Sequence, residues 1–303
     1  MQARFINPFT DYGFKKLFGE EASKPFLIDF LNAMLPAHHQ IKDLTLKNSE
    51  QMGISDFDRK AIYDIYCESH TGERFIVELQ RAKQTFFKDR TLYYATFPIN
   101  EQAQKGEWNY QLKAVYCISI LDFLFDEHKD DPEVIYTVQL KDQNNQIFYD
   151  KLTLIYLQLP NFCKKEHELV TPLDKWLFFI KNLEDLQYIP AIFKDSIIEQ
   201  AFEKANLATF NRQEIDKYER SLKVYRDLHN SLETAIKDGF YQGMEHGLQT
   251  GLKEGLQQGM QKGIEQGKYE QKIATAKTLK GLNISPKDIA LATGLDIDEI
   301  NKL

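Results

Sequence analysis

Apolar and polar residues alternate on either side of a short polar link within residues 59–80. Residues 61–67 and 75–79 are rich in β-branched and aromatic side chains, and residues 69–73 between them are polar and include Gly72. This pattern predicts two strands joined by a tight turn. With the turn centred on Thr71, Asp64 falls directly opposite Glu78. Side chains alternate faces along a strand. One face then carries Asp64, Tyr66, Glu78 and Gln80, and the other Tyr63, Ile65, Cys67, Phe75, Val77 and Leu79. Two carboxylates facing each other across a strand pair repel. A divalent cation would turn that repulsion into coordination.

The pattern elsewhere predicts helices around this hairpin. Asn7-Pro8 and Gly19 bracket a short helix with Phe14, Leu17 and Phe18 on one side. Ser23 and Pro25 open a second helix, whose Phe26, Leu27, Phe30, Leu31, Met34 and Leu35 recur at helical spacing until Pro36. Residues 41–47 read as a first strand. Residues 83–104 read as a helix bearing Phe86, Phe87, Tyr93, Tyr94 and Phe97, ended by Gly106, with Arg90 and Tyr94 on one face. Residues 111–121 are apolar almost throughout, as in a strand buried on both faces. Residues 134–140 and 147–159 form a hairpin through Asn144-Asn145, and two short helices fill 171–207.

From about Asn211 a long helix begins. Ile215, Tyr218, Leu222, Tyr225, His229, Leu232 and Ile236 trace a heptad seam, the pattern of a coiled coil. Glycine then recurs at every fourth position from Gly239 to Gly267, with Phe240, Met244, Leu248, Leu252, Leu256, Met260 and Ile264 beside it. Eight interior glycines cost roughly 8 kcal/mol relative to alanine. Close helix–helix approach along that row is the natural compensation, so 239–267 is expected to associate copies of the chain. The last residues read as a small helical cap. Ala290, Gly294 and Ile300 match positions of a helix-turn-helix, but the acidic balance of 286–303 favours a structural or dimer contact over DNA docking.

Hydrophobic residues make up 43% of the chain and charged residues 27% of its 303 positions, as in an ordinary globular protein. No apolar run approaches the ~18–20 residues of a membrane span, and the N-terminus lacks a signal pattern. A cytoplasmic protein with no membrane partner is expected. Cys67, Cys117 and Cys163 sit in apolar contexts without paired spacing and read as core residues. The net charge of −7 is a poor global field for approaching DNA. Nucleic-acid binding would need a local patch, and Arg81, Lys83, Lys88 and Arg90 against the single acid Asp89 offer one.

The spacing Asp64-x13-Glu78-x-Gln80 resembles the metal-binding motif of the PD-(D/E)XK nuclease superfamily. It is most similar to the recombination-promoting nuclease and putative transposase family, in which E-x-Q stands for E-x-K. The segment Thr10-Asp11-Tyr12-Gly13-Phe14-Lys15-Lys16-Leu17-Phe18-Gly19, the step Glu78-Leu79-Gln80 and the segment Arg90-Thr91-Leu92-Tyr93-Tyr94 carry the same resemblance, which covers roughly residues 5–160. It implies an α/β restriction-endonuclease-like core, a mixed central sheet flanked by helices, followed by a long helical C-terminal extension. The nuclease-like domain would span 1–210, with an accessory hairpin and helices. The glycine-periodic helix would span 211–268 and the cap 269–303.

The implied activity is a Mg²⁺-dependent DNA endonuclease, with Mn²⁺ as a substitute, linked to DNA recombination or mobile elements. Asp64, Glu78 and the Leu79 carbonyl would hold the metal. Gln80 would orient water, and Lys83 or Lys15 would supply the cation that the superfamily places at position 80. Asp11 would add a carboxylate behind the ligands, and Arg81, Lys88, Arg90 and Tyr94 would contact the nucleic acid. Lysine at position 80 would then be expected to preserve or raise activity. The competing readings are a DNA-binding module whose catalysis has faded, and an oligomeric protein in which the long helix is the working part.

Overall fold

The computed structural model describes residues 3–36, 39–51, 61–103 and 106–303. Arg59 and Lys60, at the start of the predicted hairpin, lie outside them. The chain divides into two compact units, residues 1–227 and 228–303.

The first unit is built on a six-stranded mixed sheet. Its strands are β1 (Leu44–Leu46), β4 (Ile65–Ser69), β5 (Arg74–Gln80), β6 (Val115–Leu121), β7 (Ile135–Lys141) and β8 (Ile147–Gln158). They lie in the order β1-β4-β5-β6-β8-β7. β4 runs antiparallel to both of its neighbours, β1 and β5, while β5, β6 and β8 run parallel, and β7 closes the edge antiparallel to β8. β6 is buried along its whole length, as its continuous apolar run requires. Alternate residues serve two cores. Tyr116, Ile118 and Ile120 join Phe75, Val77 and Leu79 on one face, and Val115 and Cys117 join Tyr66 and Ile76 on the other.

Helices α1 (Asp11–Phe18), α2 (Lys24–Asn32), α4 (Pro172–Asn182) and α5 (Ile197–Ala205) cover the first face. Their buried Phe14, Phe18, Phe30, Trp176, Phe179 and Phe202 belong to one core with that side of the sheet. α3 (Phe87–Asn100) covers the second face through Ala95, with Tyr94 and Phe97 packed beside it. It starts four residues later than the apolar pattern predicts. Phe86 is left exposed, and the helix ends at Asn100, before Gly106.

One further departure from the expected pattern matters for the site. Residues 61–67 are not one strand. β3 (Ala61–Ile62) pairs with β2 (Glu50–Gln51) in a separate two-stranded sheet, and the chain bends at Asp64 before β4 begins. The bend turns Tyr63 to the Tyr66 face, not to the face of Ile65 and Cys67. Cys163 is also exposed, unlike the buried Cys67 and Cys117.

α1 is fixed by its N-terminus. Thr10 caps it, its Oγ1 accepting the Gly13 N–H at 2.9 Å and donating to the Asn7 carbonyl at 2.8 Å. A Cβ on Gly13 would sit 2.2 Å from the Asn7 oxygen and 2.6 Å from Thr10 Oγ1. Gly13→Ala is therefore expected to destabilise the unit by about 1–3 kcal/mol, the usual cost of overpacking, as read by denaturant unfolding.

The long helix α6 (Arg212–Gly281) contributes its first turns to this unit. Tyr218 is buried, and Leu222 and Tyr225 pack against the same core. These three seam positions meet the chain's own domain, where the heptad pattern alone suggests a coiled-coil partner. Asn7 N donates to Tyr218 Oη at 2.8 Å, Tyr12 N to Ser221 Oγ at 3.0 Å, and Lys16 pairs with Glu214 at 2.6 Å.

In the second unit, Ile273, Ala276 and Leu279 of α6 form a small core with α7 (Pro286–Thr293) and α8 (Ile297–Lys302), through Ile289, Leu295 and Ile300. Ser285 caps α7, and Gly294 supplies the left-handed φ of 68° that ends it. Between Gly239 and Gly267 the apolar residues beside the glycines are exposed, and a Cβ on any of the eight glycines would meet no atom within 4 Å.

Candidate metal and phosphate site

The predicted register is the observed one. Ile65 pairs with Val77, Tyr66 with Ile76 and Cys67 with Phe75, so the hairpin is centred on Thr71. At the bend, side chains replace the ladder. Asp64 N donates to Glu78 Oε1 at 3.2 Å, and Leu79 N donates to Asp64 Oδ2 at 2.7 Å. The two carboxylates are thus held together just before the start of β4, with one oxygen of each bonded to backbone.

Both carboxyls are half-buried and both titrate above their ordinary range. For Glu78 the first cause is burial and the second the charge of Asp64, while Arg90 acts the other way. For Asp64 burial again leads. The Leu79 N–H opposes it, and Asp11 adds to it. Such a pair is electrostatically strained when ionised.

Several cations border the pair. Lys15, on α1, lies 2.9 Å from Asp11 and favours the ionised forms of both Asp64 and Glu78. Asp11 therefore enters with its own counter-charge. Arg81 follows β5. Its guanidinium lies 5.5 Å from the centre of the Tyr225 ring on α6, and its Nε is buried without a hydrogen-bond partner among the described residues. Burial pulls its pKa down, and Asp64 and Asp11 oppose that.

Arg90 reaches over from α3. Its Nη2 donates to Gln80 Oε1 at 2.5 Å and its Nη1 to Gln84 Oε1 at 2.6 Å. The guanidinium lies 5.0 Å from the Phe87 ring centre and 5.6 Å from that of Tyr94. Tyr94 borders Glu78, and its hydroxyl is pushed up first by burial and then by the Glu78 charge.

Lys83 and Lys88 are placed differently. Lys83 pairs with Asp126 and Lys88 with Glu127, both in the segment after β6. The four cations read as one patch in the sequence are divided, two around the acidic pair and two neutralised by acids some forty residues on. Sequence reasoning missed Tyr225 as a neighbour of the site, since its heptad spacing gave no sign that it faces its own domain. Ser119, which is buried and stands beside Glu78 in the β5–β6 register, was missed as well, being one polar residue in an apolar run.

The residues fit a divalent cation. Two oxygen-donor carboxylates that repel each other in a half-buried setting suit a hard ion. Among the described residues no third His, Cys, Asp or Glu completes a cluster, so further oxygens have to come from backbone or water. The Gln80 carbonyl accepts Asp122 N on the β6 side, whereas the Leu79 N–H is bonded to Asp64. Successive peptide groups of a strand address opposite neighbours, so the Leu79 carbonyl also faces the Asp64 side.

A mixed sheet flanked by helices, with an acidic pair at the end of the β4–β5 hairpin, defines the PD-(D/E)XK nuclease core. The family model of PD-(D/E)XK nuclease family transposases matches residues 8–235, and the chain belongs to that family. The match runs into α6 and takes in the turns that carry Tyr218 and Tyr225. No curated protein and no solved structure matches the chain. Among the described residues no helix is long and apolar enough to cross a membrane.

Proposed function

We propose that this chain is a metal-dependent DNA endonuclease that hydrolyses phosphodiester bonds in DNA recombination or the movement of mobile elements. The observation that carries the reading is the meeting of Asp64 and Glu78, each raised in pKa and each tethered by a backbone N–H. Asp64, Glu78 and the Leu79 carbonyl would hold Mg²⁺ or Mn²⁺. Bound there, the ion would polarise the scissile phosphate and lower the pKa of an attacking water.

The chain's own groups have separate tasks in this reading. The Asp64–Leu79 and Asp64–Glu78 hydrogen bonds orient the carboxylates before any ligand binds. Lys15 offsets the negative charge of Asp11 next to them. Arg81 and Arg90 present guanidinium groups to DNA phosphate, the geometry for which that fork is suited. Tyr94 forms the wall beside Glu78, and Lys88 contributes more remotely. Lys83 is paired with Asp126 and not with the acidic pair. The test is incubation of supercoiled plasmid with the purified full chain. Nicked and linear DNA should form with Mg²⁺ and not with EDTA. Equal products under both conditions, or none under either, would defeat the reading.

The same reading includes self-association through residues 239–267. Its support is the exposed apolar row beside eight glycines whose propensity cost of roughly 8 kcal/mol is otherwise uncompensated. Replacing Gly247, Gly251 and Gly255 together with leucine should hold two such helices apart and lower the sedimenting mass. The triple alanine change should do so far less. Unchanged mass in the leucine variant would exclude this row as the association surface.

A further inference from the structure

We infer that Arg90 is the cationic catalytic residue of this site, contacting the scissile phosphate from α3, and that Gln80 is the bracket that holds it there. The inference rests on the nuclease reading above.

Gln80 stands on β5 where the superfamily motif has lysine, but its amide is already engaged at both ends. Nε2 donates to the Ala82 carbonyl at 2.7 Å, and Oε1 accepts from Arg90 at 2.5 Å. An amide so occupied is poorly placed to orient water. It is well placed to fix a guanidinium, which takes its second hold from Gln84. The faces of Phe87 and Tyr94 complete the setting. The side chain is thereby confined, and confinement is what a catalytic cation needs if it is to act without reorganising.

The partners are also informative by their charge. Lys15, Lys83 and Lys88 each face a carboxylate, namely Asp11, Asp126 and Glu127. Arg90 is hydrogen-bonded to two neutral amides. Among the described residues it forms no ion pair, so its charge is held in place without being cancelled by one, and it favours the ionised form of the adjacent Glu78. A guanidinium has five N–H donors. Two serve the glutamines, and the rest remain for the in-plane, two-point contact that phosphate accepts. Lysine at position 80 would therefore not simply restore the usual residue. It would remove the Arg90 acceptor and set two cations side by side.

The test is to move the charge. Arg90→Gln should lower kcat on plasmid by about 10²–10³-fold, the usual loss for one preorganised transition-state donor, with a much smaller change in KM. Arg90→Lys, which keeps the charge and loses the fork, should fall between. Gln80→Lys alone should lose activity. Gln80→Lys with Arg90→Gln should recover at least tenfold over Arg90→Gln, because the cation returns to the phosphate from β5. Binding of a duplex of phosphorothioate DNA, followed against salt, gives a readout without cleavage. The slope should fall by about one for Arg90→Gln and be retained in Arg90→Lys.

A kcat for Arg90→Gln within about threefold of wild type, or an unchanged salt slope, overturns the assignment while the nuclease reading stands. A double variant no better than Arg90→Gln overturns it as well. If the wild type cleaves nothing, the nuclease reading fails first. The salt slope then still decides whether Arg90 touches phosphate.

Discussion

Asp64→Ala and Glu78→Ala are each expected to lower Mg²⁺-dependent nicking by about 10³-fold or more. The physical reason is the small number of ligands. Two carboxylates meet at the site, and Asp11 beside them is paired with Lys15, so removing one takes away one of the two side-chain oxygen donors and much of the uncompensated negative charge. Metal-assisted stabilisation of transition-state charge is worth several kcal/mol, and each ~1.4 kcal/mol is a factor of ten in rate. Neither side chain belongs to the apolar cores, so the far-ultraviolet spectrum and the unfolding midpoint should survive. Asp64 carries more structure than Glu78, because its Oδ2 accepts the Leu79 N–H at 2.7 Å, whereas Glu78 Oε1 accepts the Asp64 N–H at 3.2 Å. Asp64→Asn keeps an acceptor there and is the cleaner variant. Near-wild-type nicking by either a folded Asp64→Asn or a folded Glu78→Ala would remove the pair from the mechanism.

Glu78→Gln is expected to change stability. It should raise the melting temperature of the metal-free protein at pH 8. Burial and the neighbouring Asp64 raise the Glu78 carboxyl, so the folded state binds its proton more tightly than the unfolded chain. Stability from this group is then fully present below the ordinary value near 4.5. It is lost progressively as the pH rises from there through the raised folded value. The amide oxygen of glutamine can still accept the Asp64 N–H, but it brings no charge. A tenfold difference in acidity corresponds to about 1.4 kcal/mol, so a gain on the order of 1–3 kcal/mol is expected at pH 8, fading toward pH 5. Mg²⁺ should stabilise the wild type by mass action and the variant much less. A variant that melts lower than wild type at pH 8, or gains equally at pH 5, would contradict the charge strain inferred for the pair.

Much of this site is legible in the sequence because it is local. The centre of the hairpin at Thr71 fixes the register, and the register alone brings Asp64 opposite Glu78. The continuous apolar run of β6 predicts its burial on both faces, and the Thr10–Gly19 segment marks α1. What the sequence hides is set by distant partners. The bend at Asp64 arises where β3 leaves for β2, a pairing across the residues between Gln51 and Ala61. The tie between Arg90 and Gln80 depends on where α3 crosses the sheet. Lys83 and Lys88 look available until Asp126 and Glu127 arrive from the far end of β6. The heptad seam of α6 shows an apolar stripe, and a stripe does not say whether its partner is another chain or the chain's own core. Tyr218, Leu222 and Tyr225 take the second course.

The substitution of a side chain for a strand at Asp64 has one more consequence. In an unbroken ladder the Leu79 amide would bond to a neighbouring peptide carbonyl and be indifferent to chemistry at the site. Here it donates instead to the Asp64 carboxylate. Its proton shift in nuclear magnetic resonance and its rate of exchange with solvent should therefore follow the charge and occupancy of that carboxylate directly. The fold contains its own reporter, a single backbone amide on which protonation, metal titration and DNA binding can each be read without attaching a label or waiting for turnover.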